Sequence, residues 1–407
     1  MQLWRLPATV LLALVCAPLS VSAQETRAEA IERQRAEKAT QLKPYEPGRL
    51  ERFFQKIGEE NPLTRVSPVN GFFLAYGYTG KPVGSGTAVS GGWRHDLIGR
   101  KARVVLEAGQ SLRGYRMVRG DFFMPRLLDQ RLELGVETSY RYHPQEDFYG
   151  LGFGSLEADR TNFLYEAPEI QGRAMFKPVP WFNAGARVGS IDVTVGRGKD
   201  TQFPDTASRF NEAAAAGLSS QPRFLYNDLF ATFDTRDQPG NPRAGGYYGV
   251  LWRRYNDRDT DVYSFDRIDA DLQQFLPIFD KKRVVALRLQ LNTTTAGDGN
   301  DVPFYFQPTL GGADSLRGAA EFRYRDRNAL SLNVEYRWEA FSGLDMALFS
   351  DFGSVAPRFS GLEFADLESA YGIGLRFNTY KAVFMRIDVA GGGRDGIRLY
   401  TKFSGNF

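Results

Sequence analysis

The chain has 407 residues, and its 51 Lys and Arg against 48 Asp and Glu leave a net charge of +3, which gives no reason to expect nucleic acid as a partner. A single cysteine, Cys16, excludes a disulfide framework, a CxxC redox pair and a Cys-based zinc site. Beyond the N-terminal run no stretch approaches the roughly 18 to 20 consecutive apolar residues of a membrane-spanning helix. A mean hydropathy of -0.36, 14% aromatics and 42 glycines suit a barrel whose lipid-facing residues alternate with polar ones.

At the N-terminus Arg5 precedes a mostly apolar run, Leu6 to Val15, and then Val21, Ser22 and Ala23. This pattern predicts a signal peptide over residues 1–23, cleaved before Gln24 and directing export. Lipid attachment at Cys16 is disfavoured, because Val15 stands where a small residue is wanted. Residues 24–65, rich in Ala, Glu, Arg and Lys, predict a periplasmic helical segment. Pro44 and Pro47 interrupt it, after which Leu50, Phe53, Phe54 and Ile57 form one apolar stripe on a short helix, suited to the barrel mouth or the membrane interface.

Residues 66–407 carry a different period. Segments of about ten residues alternate in polarity and are separated by Gly, Pro, Asn and Asp turns. Leu330, Leu332, Val334, Tyr336 and Trp338 share one face, opposite Ser331, Asn333, Glu335 and Arg337. Val383, Met385, Ile387 and Val389 likewise oppose Arg386 and Asp388. A soluble sandwich also alternates, but Tyr336 and Trp338 at a strand end and an aromatic C-terminus favour a membrane barrel. About sixteen strands are predicted, which places both termini in the periplasm and the loops around Arg197 to Ser220 and Thr293 to Arg327 outside. The expected fold class is all-β: a transmembrane antiparallel barrel in contact with outer-membrane lipids, preceded by the short helical segment. Phe403 and Phe407, on one face of the last strand, resemble the signal by which outer-membrane barrels are recognised for insertion, which implies the barrel-insertion machinery as a partner during biogenesis.

No catalytic residue, metal site or cofactor is predicted. His95 and His143 are the only histidines, their separation gives no ligand spacing, and both are read as solvated. Gly150 to Gly154 lacks the Lys-Ser/Thr of a phosphate loop, and its glycines are expected to relieve crowding in a strand or bulge.

The segment Leu310-Gly-Gly-Ala-Asp-Ser-Leu-Arg317-Gly318-Ala319 resembles the loop of the BamA/TamA family (bacterial surface antigen domain, Omp-eighty-five superfamily), whose tip carries a hydrophobic-Arg-Gly-aromatic motif and folds back inside the barrel. Ala319 departs from the family's aromatic. Asn333 to Arg337 is similar to the strand that follows this loop, Phe349-Ser-Asp351-Phe-Gly353 fits the family's F-x-D-x-G strand, and Gly372-Ile-Gly374-Leu-Arg376 its G-x-G-x-R strand. Thr235 to Gly245 resembles one of its periplasmic turns. The resemblance is good over residues 220–407 and weak before them. It implies that Arg317, with Gly318 beside it, locks the loop in the lumen against Asp351 and Glu335, near Phe349 and Gly353. Family members that insert or secrete proteins carry periplasmic POTRA modules, and residues 24–65 are too few for one. The expected function is therefore a non-enzymatic barrel that moves or inserts a protein or lipid substrate with a separate periplasmic partner; the alternative is a passive pore or structural barrel.

Overall fold

The computed structural model describes residues 27–41, 48, 49, 52, 69–76, 88–363, 367–379 and 382–403. The expected signal peptide, the stripe at Leu50, Phe53, Phe54 and Ile57, and the terminal Phe407 lie outside these residues, as does the side chain of Phe403. The chain divides into two units after Arg49. In the first stands α1, Arg27–Gln41, built from strong helix formers and exposed over residues 31–38.

The second unit is a sheet. In chain order its strands are β1 Gly71–Tyr76, β2 Ala88–Leu97, β3 Ala102–Ser111, β4 Arg116–Leu127, β5 Leu132–Phe148, β6 Thr161–Val179, β7 Phe182–Asp192 and β8 Thr194–Arg197. There follow β9 Arg223–Asp234, β10 Gly245–Asp257, β11 Phe265–Ile278, β12 Arg283–Ala296, a small hairpin of β13 Thr309–Leu310 with β14 Tyr324–Arg325, then β15 Asn328–Phe341, β16 Leu344–Ala356, β17 Glu368–Asn378, β18 Val383–Gly391 and β19 Arg398–Phe403. β13 and β14 pair only with each other. The other seventeen strands form one antiparallel meander in which each pairs with the next, except that β8 pairs with β6 and β7 with β9. β8 continues β7 past Val193, because both pair with β6 in the same register on either side of that residue. The meander therefore has sixteen strand positions, as the alternation predicts. Among the described residues no ladder joins β1 to β19.

Successive strands turn tightly at one end, as at Ile98, Leu128 and Phe279, and through long loops at the other. The loops over residues 198–222 and 297–327 both lie at the long-loop end, in agreement with the expected asymmetry. The two faces of the sheet have inverted polarity. Leu74, Val118, Val250 and Leu348 are between 48% and 61% exposed, whereas Glu335, Asp351 and Asp388 on the other face are fully buried. A water-soluble sheet does the reverse, so the outer face is made for lipid and the inner face encloses a polar lumen. The 297–327 loop lies against the inner face of the sheet, with residues 302–306 on β5, β6, β9, β10 and β11, residues 314–317 on β15, β16, β18 and β19, and Arg325 back on β5.

Candidate functional site

The loop fills the lumen in two ways. Its first part, residues 302–306, is apolar: Val302, Phe304 and Phe306 are buried in a cluster with Phe148, Phe163, Phe224, Tyr255 and Phe265 of β5, β6, β9, β10 and β11. Phe304 meets Phe148 at 5.1 Å and Phe163 at 4.9 Å between ring centroids. The loop over 198–222 closes over this cluster, with Ala215 in its core and the Phe304 N–H donating to the Ala216 carbonyl at 2.8 Å. The second part of the long loop, residues 309–327, reaches the strands β15 to β19 through charge.

Arg317 is the centre of that contact. Its Nε and Nη2 donate to the two oxygens of Asp351 on β16 at 2.7 and 2.6 Å, a bidentate pair, while its backbone N–H donates to Asp351 at 3.1 Å. Nη1 donates to Glu335 on β15 at 2.5 Å and lies 3.7 Å from Asp388 on β18. The guanidinium sits 3.4 Å from the centroid of the Phe349 ring, a stacked cation on an aromatic face. Burial opposes the charge on Arg317, but Glu335 and Asp351 outweigh it and hold its pKa above the ordinary arginine value.

The carboxylates are shared with further arginines. Arg376 on β17 donates to Asp388 at 2.5 Å and to Glu335 at 3.0 Å, and Arg337 donates to Glu335 at 2.7 Å. Arg386 on β18 lies 3.4 Å from Asp388 and holds the loop by donating to the Ala313 carbonyl and, at 3.3 Å, to Asp314. Lys402 on β19 also pairs with Asp314. Four buried arginines thus face three buried carboxylates, with Asp314 at the rim as the fourth acid. Compensation of this kind is what allows charges to remain in a dry interior.

The glycines of the two strand motifs make room for these groups. A Cβ on Gly372 would collide with the Phe349 ring, so the glycine lets that ring lie over β17 and present its face to Arg317. A Cβ on Gly374 would occupy the place of the Asp388 and Arg376 head groups. Gly353 seats Leu310, whose Cδ1 would stand 2.9 Å from an added Cβ. Gly318 approaches β17 so closely that a Cβ would lie 2.6 Å from the Ala370 Cβ and 2.8 Å from the Gly392 carbonyl oxygen. Ala319, which departs from the aromatic of the motif it resembles, is buried beside Leu316 and Tyr324, and its carbonyl accepts from the Tyr400 hydroxyl at 2.6 Å.

The structure therefore brings Arg317, Gly318, Glu335, Phe349, Asp351, Gly353, Gly372, Gly374 and Arg376 into one locus. Asp388, Arg386, Asp314, Lys402 and Tyr400 join this locus without a sequence motif to mark them. Alternation marks Arg386 and Asp388 as lumen-facing, but nothing in their spacing says that they meet the loop.

Two expectations are corrected. His143 is not a solvated side chain: it lies between Tyr115 and Tyr165, at 5.1 and 5.4 Å between centroids, and its Nδ1 is 3.2 Å from Glu146. β5 has a register shift between His143 and Glu146, and Glu146 accepts at 3.1 Å from Arg325 of the 297–327 loop, the plug of the lumen. Gly150 and Gly152 are not strand glycines; they adopt φ of +93° and +83° in the loop after β5. That loop docks on the plug hairpin, since the Gly152 N–H donates to the Arg325 carbonyl at 2.8 Å and Phe153 stacks on Tyr324 at 4.7 Å. Among the described residues no cluster of His, Cys, Asp and Glu is arranged to hold a metal ion.

Comparison with known proteins agrees with this architecture. The Omp85 superfamily domain matches residues 97–391. Among solved structures, BamA from Haemophilus ducreyi lacking POTRA domains 1-3 superposes with a TM-score of 0.63 at 14% identity, covering 82% of this chain and 70% of that one. CdiB from Escherichia coli gives 0.50 at 12% identity, covering 82% of this chain and 62% of that one, so the chain spans less than two thirds of CdiB. At these identities the likeness is one of fold. No curated protein sequence matches the chain.

Proposed function

The chain belongs to the Omp85 superfamily, and on that premise we propose that it is an outer-membrane barrel that moves or inserts a protein or lipid substrate, supplied by a separate periplasmic partner. On this reading residues 66–407 form the barrel, residues 24–65 stand on the periplasmic side, and residues 1–23 direct export. The protein works without covalent chemistry: its buried ionisable groups are spent on one another in the lumen, and Arg317 with its carboxylates is a mechanical lock. The observation that carries the reading is the bidentate Arg317–Asp351 pair, 2.6 and 2.7 Å long, which fastens a buried loop tip to the inner face of the sheet.

A passive pore needs an open channel, and here both halves of the 297–327 loop occupy the interior. With the lumen filled, work on a substrate falls to the wall of the sheet and to its lipid-facing surface. The test is a comparison of the outer-membrane proteome and lipid composition with and without the chain, followed by complementation. Depletion of particular barrels or a change in surface lipid, restored by the wild-type chain, is the expected outcome. An unchanged membrane in both measurements would sink the assembly reading.

A further inference from the structure

The outer face of the first strands is not uniform. In register across β1 to β4 stand Leu74, Gly91, Ala108 and Val118, and one row nearer the short turns stand Leu106, Gly120 and Thr138. Gly91, Ala108, Gly120 and Thr138 are small, and they open a trough of about 860 Å³ between the exposed side chains of Leu74, Leu106 and Val118. Glu107 and Arg119 border it only through the sheet, since their side chains alternate to the inner face and pair there at 3.2 Å. At the long-loop end the same face turns cationic. Arg116 is two residues beyond Val118, about 7 Å along the strand, and Tyr142 stands opposite it. The Arg116 guanidinium and the Lys199 ammonium each lie 5.6 Å from the centroid of the Tyr142 ring. Both cations are exposed, and neither makes an ion pair among the described residues. The carboxylate of that row, Glu166, is hydrogen-bonded with Tyr140. Arg116 and Arg126 bracket the apolar outer residues Val118, Phe122 and Met124 of β4. That length of strand, tilted by about 40°, crosses about 26 Å, the height of the lipid-facing band. Arg116, Lys199 and Tyr142 therefore stand at the level of lipid headgroups, where cations and aromatic rings collect.

We infer that this face binds one phosphate-bearing lipid of the extracellular leaflet, with the phosphate on Arg116 and Lys199 and an acyl chain along the trough. Two cations without a carboxylate partner, stacked on one ring at the edge of an apolar phase, present their donors to an anion together. The trough admits a chain down to the backbone of the sheet, whereas a face of uniform side chains would meet it only at their tips. A free phosphate would use the cations and leave the trough empty; an uncharged lipid would do the reverse. The inference rests on the outer-membrane placement proposed above, with the long loops outside, and not on the assembly role.

The experiment is native mass spectrometry of the full chain released from a non-ionic detergent, with dioleoyl phosphatidate and dioleoylglycerol as paired probes and inorganic phosphate as competitor. One phosphatidate per chain is expected, held about tenfold more tightly than dioleoylglycerol, as charge-assisted hydrogen bonds require, and not displaced by phosphate. The double variant Arg116→Gln, Lys199→Gln should lose that preference, and Gly120→Leu, which fills the trough, should weaken both lipids. All three positions face outward, and heat-modifiable electrophoretic mobility reports that each variant has folded. Equal retention of the two lipids, or a preference unchanged in the double variant, overturns the phosphate contact and with it the inference. So does binding unchanged in Gly120→Leu, which leaves the trough unused, or displacement by inorganic phosphate, which leaves an anion site alone. Absence of any bound lipid overturns it too and leaves the trough to a protein segment. Failure of the membrane placement is read separately, by the cost of an arginine at Leu348, and the proteome comparison tests the assembly role by itself.

Discussion

At Arg317 three interactions converge on one guanidinium: the fork onto Asp351, the bond to Glu335, and the stack on Phe349. Removing one member of such a buried pair leaves the partners charged and desolvated, so Arg317→Ala should destabilise the protein by about 3–5 kcal/mol. Arg317→Lys keeps the charge but loses the fork and the planar stack, and should recover only part of that. Denaturant unfolding in micelles gives both values, and a double-mutant cycle with Asp351→Ala should yield a coupling of about 2–3 kcal/mol. Effects that merely add, to within about 0.5 kcal/mol, would mean that the two residues do not act together. Much of this site is legible in the sequence because each motif residue has a local reason: Gly372 and Gly374 make space, Phe349 stacks, Asp351 accepts. Asp388 and Arg386 are not, because their part depends on how β18 is placed against a loop some seventy residues earlier.

The 297–327 loop is held differently along its length, by aromatic packing near Phe304 and by ion pairs near Arg317. Asp314 ties its tip to the closing strands. Burial opposes its ionisation, but Lys402 and Arg386 outweigh this and hold its pKa at about 2, below the ordinary 3.8. A carboxylate with a depressed folded pKa stabilises the docked loop fully above pH 3.8, and that contribution is lost as pH falls through about 2. Single-channel recording should therefore show rare openings at neutral pH that grow in frequency between about pH 4 and 2. In Lys402→Gln the rise should begin at higher pH, since one of the cations depressing the carboxyl pKa is gone. Openings that ignore pH across this window would remove Asp314 from the tether. At this scale the sequence is less informative. The turns at Leu128 and Phe279 place these apolar residues at φ of +47° and +48°, and only the Asp that follows each, Asp129 at +55° and Asp280 at +53°, marks such a conformation. The aromatic plug around Phe304 likewise reads as an ordinary loop, because its partners lie on five distant strands.

For the whole molecule the inverted polarity decides the environment. Leu348 on the outer face is half exposed, while its strand neighbours Ala347 and Phe349 are buried. In a lipid bilayer Leu348→Arg should cost about 2–4 kcal/mol if the residue lies near the midplane, and much less toward either interface. Reversible unfolding from liposomes measures this, and a neutral result together with a similar one for Val250→Arg would argue that the outer face does not meet lipid. Strand number and face were readable because alternation with a period of two is imposed by the pleat and by the two solvents. Register and the aromatic filling of the lumen around Phe304 were not, since both arise from contacts between segments far apart in sequence.

Arg317 docks the 309–327 segment inside the sheet. Hydrogen exchange of residues 309–327 in the lipid-embedded protein reads that docking directly, because amides of an undocked loop exchange at nearly the free rate whereas docked ones must wait for opening. Slow exchange across Gly311 to Tyr324 in the wild type, with protection lost in Arg317→Ala and partly retained in Arg317→Lys, is the expected result. Fast exchange of this segment in the wild type, or protection unchanged in Arg317→Ala, would contradict the lock.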